Sequence, residues 1–251
     1  MIWLDTLLAV PVVGIRMIPD FKELFEFQKR IGNFLDYLKK DKELEKGNID
    51  IRPKEIWGYS ISVLKTGFSF TLTPKDIIGQ YSYEIKEVTR PGSLPTFEPP
   101  ETIAYSQLLE KTLTYVQVFL ALIKDLKGFQ FDRIGIVANV GSDKESFPPG
   151  VLRWLEHLSK PWGTLTKSES LLLANLQENN EAQYRDQCHH VVKFDDTTPE
   201  VGVRITLDWQ RVFEIPISMS DIEVLPRTLL SCKDEARKYF QNFGEGGLKY
   251  D

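Results

Sequence analysis

From Val201 to Gln210 the chain alternates without a break, with Val201, Val203, Ile205, Leu207 and Trp209 on one side and Gly202, Arg204, Thr206, Asp208 and Gln210 on the other. Side chains two apart lie on the same face of an extended backbone, so this segment reads as a strand with one apolar and one polar face. The same period recurs in Trp57, Tyr59, Ile61 and Val63, again in Phe68, Phe70 and Leu72 after Lys65-Thr66-Gly67, and again in Tyr81, Tyr83 and Ile85. Alternating runs joined by short turns predict antiparallel hairpins. Two further strands are expected, "FDRIGIVANV", rich in β-branched residues, and "YRDQCHHVVKF", Tyr184 to Phe194. Leu7 to Ile18 is another, and its Pro11 suits an edge or a bulge.

Elsewhere the period is helical. Leu24, Phe27, Ile31, Phe34, Leu35 and Leu38 follow a capping-box-like start at Asp20 and Glu23, and that helix is expected to end near Gly47. Glu101 to Lys127 carries Tyr105, Leu108, Leu109, Val116, Phe119, Leu120 and Ile123, broadened by Tyr115, Val118 and Leu122 into a face wide enough to pack on more than one side. "SFPPG" opens a short helix over Val151 to Ser159. A closing stripe of Leu225, Leu229, Cys232, Ala236, Tyr239, Phe240 and Phe243 stops at Gly244.

Leu7 to Ser82 thus reads strand, helix, strand, strand, and Phe131 to Gln210 repeats that order without a residue-level repeat. The expectation is an α+β protein, antiparallel sheet with helices packed on one face. The proline- and glycine-rich "RPGSLPTFEPP" is the best linker candidate. It separates an N-terminal α+β half, residues 1–90, from a C-terminal α+β half, residues 101–251, as two domains or as one compact unit joined through 90–100.

With 251 residues, 42% apolar and 27% charged, the chain is of ordinary globular composition and long enough to bury a core without disulfides or metals. A formal net charge of −5 argues against broad attraction to nucleic acid or to an anionic membrane. The two cysteines, Cys188 and Cys232, lie far apart with no C-x-x-C, which suits a reducing interior and leaves no disulfide framework or four-thiolate zinc site. Neither "TLLAVPVVGI" nor "TLTYVQVFLALI" is long enough to span a bilayer, and Asp5 stands where a signal peptide wants a basic residue. These features predict a cytoplasmic protein with no membrane partner and no cofactor.

Cys188, His189 and His190 form the densest cluster of reactive side chains, yet on a strand the two histidines point apart. The expectation is therefore His190 hydrogen-bonded inside, His189 wet, and no metal. The motif closest to a catalytic one is Glu84-Ile85-Lys86 with Asp76 before it, which loosely resembles the D…E-x-K arrangement of restriction-endonuclease-like nucleases. In that resemblance Asp76 and Glu84 hold a divalent ion and Lys86 assists the attacking water. The proline and acid are separated here, as Pro74-Lys75-Asp76, and E-x-K is common on the wet face of any strand. G-x-S-x-G, G-x-x-x-x-G-K-[ST] and H-E-x-x-H are all absent.

Three stretches, "LLAVPVVGIRMI", "FDRIGIVANV" after a long helix and "VRITLDWQ" before a closing one, resemble a sporadically distributed family of uncharacterised prokaryotic proteins of similar length. That resemblance transfers no catalytic residue. Sporadic distribution is associated with mobile and defence-linked genes. The functional expectation is a non-enzymatic protein-interaction or regulatory module, an accessory subunit of a prokaryotic defence system, CRISPR-linked ones included, with a metal-dependent nuclease as the alternative. Aromatic anchors would serve a protein partner. Trp162, in "SKPWGTLTKSES", is the best exposed candidate, whereas Trp57 and Trp209 fall on apolar alternating faces and read as core.

Overall fold

A computed structural model describes residues 2–42, 44, 47–83, 86–88, 96–98, 100–159, 170–179, 184–194, 202–219 and 224–247. Strand β1 (Leu8–Ile18) leads through a short 3-10 turn into helix α1 (Leu24–Lys40). A meander follows: β2 (Ile49–Glu55), β3 (Gly58–Val63), β4 (Phe68–Leu72) and β5 (Asp76–Tyr81). After a two-stranded hairpin of β6 (Lys86–Val88) and β7 (Thr96–Glu98) comes helix α2 (Tyr105–Ile123). The second half runs β8 (Gln130–Ser142), α3 (Pro149–Ser159), β9 (Ser170–Asn179), β10 (Tyr184–Phe194), β11 (Val203–Ser218) and α4 (Val224–Glu245).

Nine strands make one antiparallel sheet in the order β2-β3-β4-β5-β1-β8-β11-β10-β9. The order is mirrored across the β1–β8 ladder, save that the first half supplies five strands and the second four. In each half the strand preceding the helix lies in the middle and pairs with the last strand of the meander that follows, β1 with β5 and β8 with β11. The halves meet along β1 and β8, in register from Leu8 opposite Gly141 to Ile18 opposite Gln130. The α+β class, the antiparallel sheet and the shared strand-helix-strand order of the halves are all present.

Alternation explains why the helices collect on one side. Val13 and Ile15 of β1, Ile134 and Ile136 of β8, and Ile205 and Leu207 of β11 are all at most 1% exposed and share one face. Against it lie α2, on β1 and β5, and α4, on β8 and β11, with α1 packed on α2 and α3 on α4. Phe34 is the hub of the first half, edge-on to Phe70 at 5.2 Å and to Phe119 at 5.4 Å between ring centres. The wide face of α2 is buried from Tyr105 to Ile123, meeting strands below and α1 beside it. Although α2 follows the linker in sequence, it thus covers strands of the first half.

Several local expectations are corrected. β1 lies at the centre of the sheet, not its edge, and tolerates Pro11 because its ladder with β5 begins only at Val12, so that Pro11 has a partner strand on one side, at Ala138. Helix α1 stops at Lys40, well before Gly47. Of the strand expected from Tyr81 to Thr89, Tyr81 instead closes β5, which begins at Asp76, residues 82–83 are not strand, 86–88 form β6, and residues 84, 85 and 89 lie outside the described residues. Residues 96–98, inside the supposed linker, form β7. Trp57 sits half-buried in the turn between β2 and β3, whereas Trp209 is core at 3% exposed.

Candidate functional site

The strand β10 separates its histidines as alternation requires. Cys188 and His190 face the helices, where the His190 ring stacks on Phe243 at 4.9 Å and meets the edge of Trp154 at 5.7 Å. Its Nε2 lies 3.3 Å from Tyr239 Oη and 3.6 Å from Cys188 Sγ. Burial, with a smaller contribution from His189, lowers the His190 pKa to about 4 and keeps the ring neutral. Burial also raises the Cys188 thiol far above its ordinary value and pushes Cys232 up to about 12. Thiols held protonated in this way are core side chains, not nucleophiles.

His189 lies on the opposite face, which carries no helix among the described residues. There the cross-strand neighbours form rows running over the central strands. One row is Val12, Val137, Asp208 and His189, the next Gly14, Gly135, Gln210 and Gln187, and the third Arg16, Arg133, Val212 and Arg185. Gln210 links them: its Nε2 donates to Asp208 at 2.7 Å, and its Oε1 accepts from Arg133 at 3.2 Å and from Gln187 at 3.1 Å. His189 Nδ1 stands 3.9 Å from Asp208. Partial burial raises the Asp208 pKa, and the hydrogen bond from Gln210 opposes that rise. In the third row the β1–β8 register slips past Asp132. This bulged residue takes two hydrogen bonds from the Arg16 guanidinium, the one from Nε at 2.6 Å.

Gly14 and Gly135 stand directly opposite each other in the middle of this face. A Cβ added at Gly14 would meet nothing within 4 Å, and one at Gly135 would find its nearest atoms at 3.8 Å. The packing of the described residues therefore requires neither glycine. Glycine inside a strand costs about 0.5–1 kcal/mol relative to alanine, and such positions often mark close approach by a ligand or another backbone. Around the pair, Val12, Val137 and Ile78 are half-buried apolar side chains.

Of the nuclease-like motif, Asp76 and Lys86 lie on different strands. Asp76 opens β5 opposite Arg16, and its carboxyl is raised chiefly by burial and then by Glu55, with Arg16, Arg133 and Lys75 opposing. Lys86 belongs to β6, in the separate two-stranded sheet. Glu84 and the side chain of Lys86 lie outside the described residues, as does Trp162. Among the described residues no group of three or more His, Cys, Asp or Glu side chains is placed to hold a metal ion. His157 is exposed, and Arg153 donates to the Glu245 carbonyl at 3.4 Å.

The glycine pair was missed in the sequence. Its signal is a lone glycine inside each of two β-branched runs, "VPVVGIRM" and "FDRIGIVANV". No protein-family model matches the chain, and no curated protein does either. No helix among the described residues is long and apolar enough to cross a membrane.

Proposed function

We propose that this chain is a non-enzymatic binding module and that the sheet face that carries no helix among the described residues meets a protein partner. The observation that carries the reading is the Gly14–Gly135 pair in the ladder where the two halves meet, Gly14 facing open space and Gly135 with nothing closer than 3.8 Å to an added Cβ. A partner segment laid across them reaches backbone distance, with Val12, Val137 and Ile78 supplying apolar contact and Gln210 and Gln187 supplying amide groups for hydrogen bonds. The charges around the pair favour protein over nucleic acid: Arg16 is matched by Asp132, Asp76 and Asp208 stand nearby, and the described residues make no one-sided basic surface. The resemblance to sporadically distributed prokaryotic proteins directs the search for that partner to defence systems, CRISPR-linked ones included.

The test uses the glycines themselves. Gly14→Arg and Gly135→Tyr place bulk where the fold has room, so both variants are expected to fold and melt like the wild type. Tagged full-length chain recovered from its native cells should bring down one stoichiometric protein, identified by mass spectrometry, and both variants should lose it. Retention of that protein by both folded variants would remove the face from consideration. Mg²⁺-dependent nuclease activity in the purified chain, abolished by Glu84→Ala, would overturn the module reading altogether.

A further inference from the structure

Strand β2 is one edge of the nine-stranded sheet, and among the described residues no strand pairs with its outer side. Its ladder with β3 fixes which backbone groups face outward. Leu64 N–H donates to the Asn48 carbonyl at 2.9 Å, and the same register continues with Asp50 opposite Ser62 and Arg52 opposite Ser60. Hydrogen-bonded and non-hydrogen-bonded pairs alternate along an antiparallel ladder. Asn48, Asp50 and Arg52 therefore turn their backbone groups towards β3, while Ile49, Ile51 and Pro53 turn theirs to the open edge. Pro53 fits this assignment, because the N–H it lacks is one that β3 does not use.

The side chains of the strand divide in the same way. Ile49, Ile51 and Pro53 stand opposite Val63, Ile61 and Tyr59, on the side of the sheet that the helices cover, yet at the edge Ile51 is 42% exposed. Asp50 and Arg52 lie on the other side, where Arg52 Nε donates to the Asp50 carboxylate at 2.8 Å. Charges and proline on an edge strand ordinarily deter pairing with other chains. Here the order of the charges admits one partner. When two copies of β2 run antiparallel with Ile51 opposite Ile51, Asp50 of each copy falls opposite Arg52 of the other, and the two ion pairs close into a square of alternating sign. The neighbouring registers that keep the outward backbone groups paired set Asp50 against Asp50 or Arg52 against Arg52, and like charges directly opposite are destabilising.

We infer that this chain self-associates through antiparallel β2–β2 pairing, which joins the sheets of two copies edge to edge about a two-fold axis at Ile51. The two Ile51 residues exchange hydrogen bonds at the centre, and each Ile49 N–H reaches the Pro53 carbonyl of the second copy. Pro53 offers no donor in return and ends the ladder there. On the helix-covered side Ile51 packs on Ile51, and Ile49 on Pro53 of the second copy. The same patch serves both copies, so the assembly closes at two. A single strand pair is a small contact, and the dimer accordingly exchanges with monomer. The edge lies apart from the glycine pair, and the inference does not rest on the proposed partner surface.

Sedimentation velocity of the purified full chain, from low to high micromolar concentration, is expected to show a monomer–dimer equilibrium. Asp50→Arg sets like charges opposite each other twice and should weaken the dimer roughly tenfold or more. Adding Arg52→Asp to that variant should restore it, because the square re-forms with its signs exchanged. Ile51→Pro removes an outward N–H that β3 does not use, so by circular dichroism it should fold like the wild type while failing to dimerise. A wild-type chain that stays monomeric throughout would overturn the inference. So would a dimer that persists undiminished in Ile51→Pro, or a charge-swapped double variant as weak as Asp50→Arg alone.

Discussion

His190 makes the fold sensitive to acid by an amount that follows from its surroundings. The ring is 3% exposed, enclosed by Phe243, Trp154 and Tyr239, and its pKa falls from the ordinary 6.5 to about 4 because burial disfavours the charged form. Between those two values the unfolded chain binds a proton that the folded chain refuses. The contribution is therefore fully present above about pH 6.5 and is lost as the pH falls towards 4. The gap between 6.5 and about 4 is worth about 3 kcal/mol in all, of which about 2 kcal/mol is gone near pH 5. Urea unfolding near pH 8 and near pH 5 would be compared for the wild type and His190→Leu, whose side chain does not titrate. The loss of stability on acidification should be larger in the wild type by about 2 kcal/mol. Equal losses in the two proteins would refute the placement of a neutral ring in the core.

Other outcomes follow from contacts of the same kind. A Cβ at Gly79 would lie 2.8 Å from Val116 and 3.1 Å from Thr112, both on α2, so Gly79→Ala should cost about 1–3 kcal/mol in urea unfolding. Gly14→Ala, in the same sheet but facing open space, should be neutral or stabilising by up to about 1 kcal/mol. Asp186→Ala leaves the buried Arg211 without its carboxylate and should cost about 3–5 kcal/mol, again by urea unfolding. Asp186→Leu combined with Arg211→Met should recover most of that loss, because removing both charges removes the desolvation penalty.

Strands and helices with a two-sided pattern were legible, and those without one were not. β10 runs from Tyr184 to Phe194, the expected bounds, and every apolar position named for the last helix is buried. β2 was missed because most of its residues are exposed and Pro53 cuts its alternation short after Ile49 and Ile51. β5 was displaced because Gly79 occupies the middle of its apolar face: α2 presses where a side chain would stand, and the alternation of Ile77 and Tyr81 is interrupted. Trp57 looked like a strand residue because it keeps period with Tyr59 and Ile61, but the backbone turns beneath it. The histidines were read correctly for a local reason, since neighbours along one strand cannot share a face.

By itself the sequence determined the faces of individual elements, the antiparallel α+β class and the scattering of Cys188, His189 and His190, because each follows from side-chain direction over a few residues. Only the tertiary structure decided that the halves meet along β1 and β8, that Gly14 meets Gly135, and that β2 is an edge strand whose Asp50 and Arg52 face away from the helices. Those outcomes depend on which distant strands hydrogen-bond and in what register. Such a choice is made by the packing of the whole apolar layer against α2 and α4, and no short window of residues contains it.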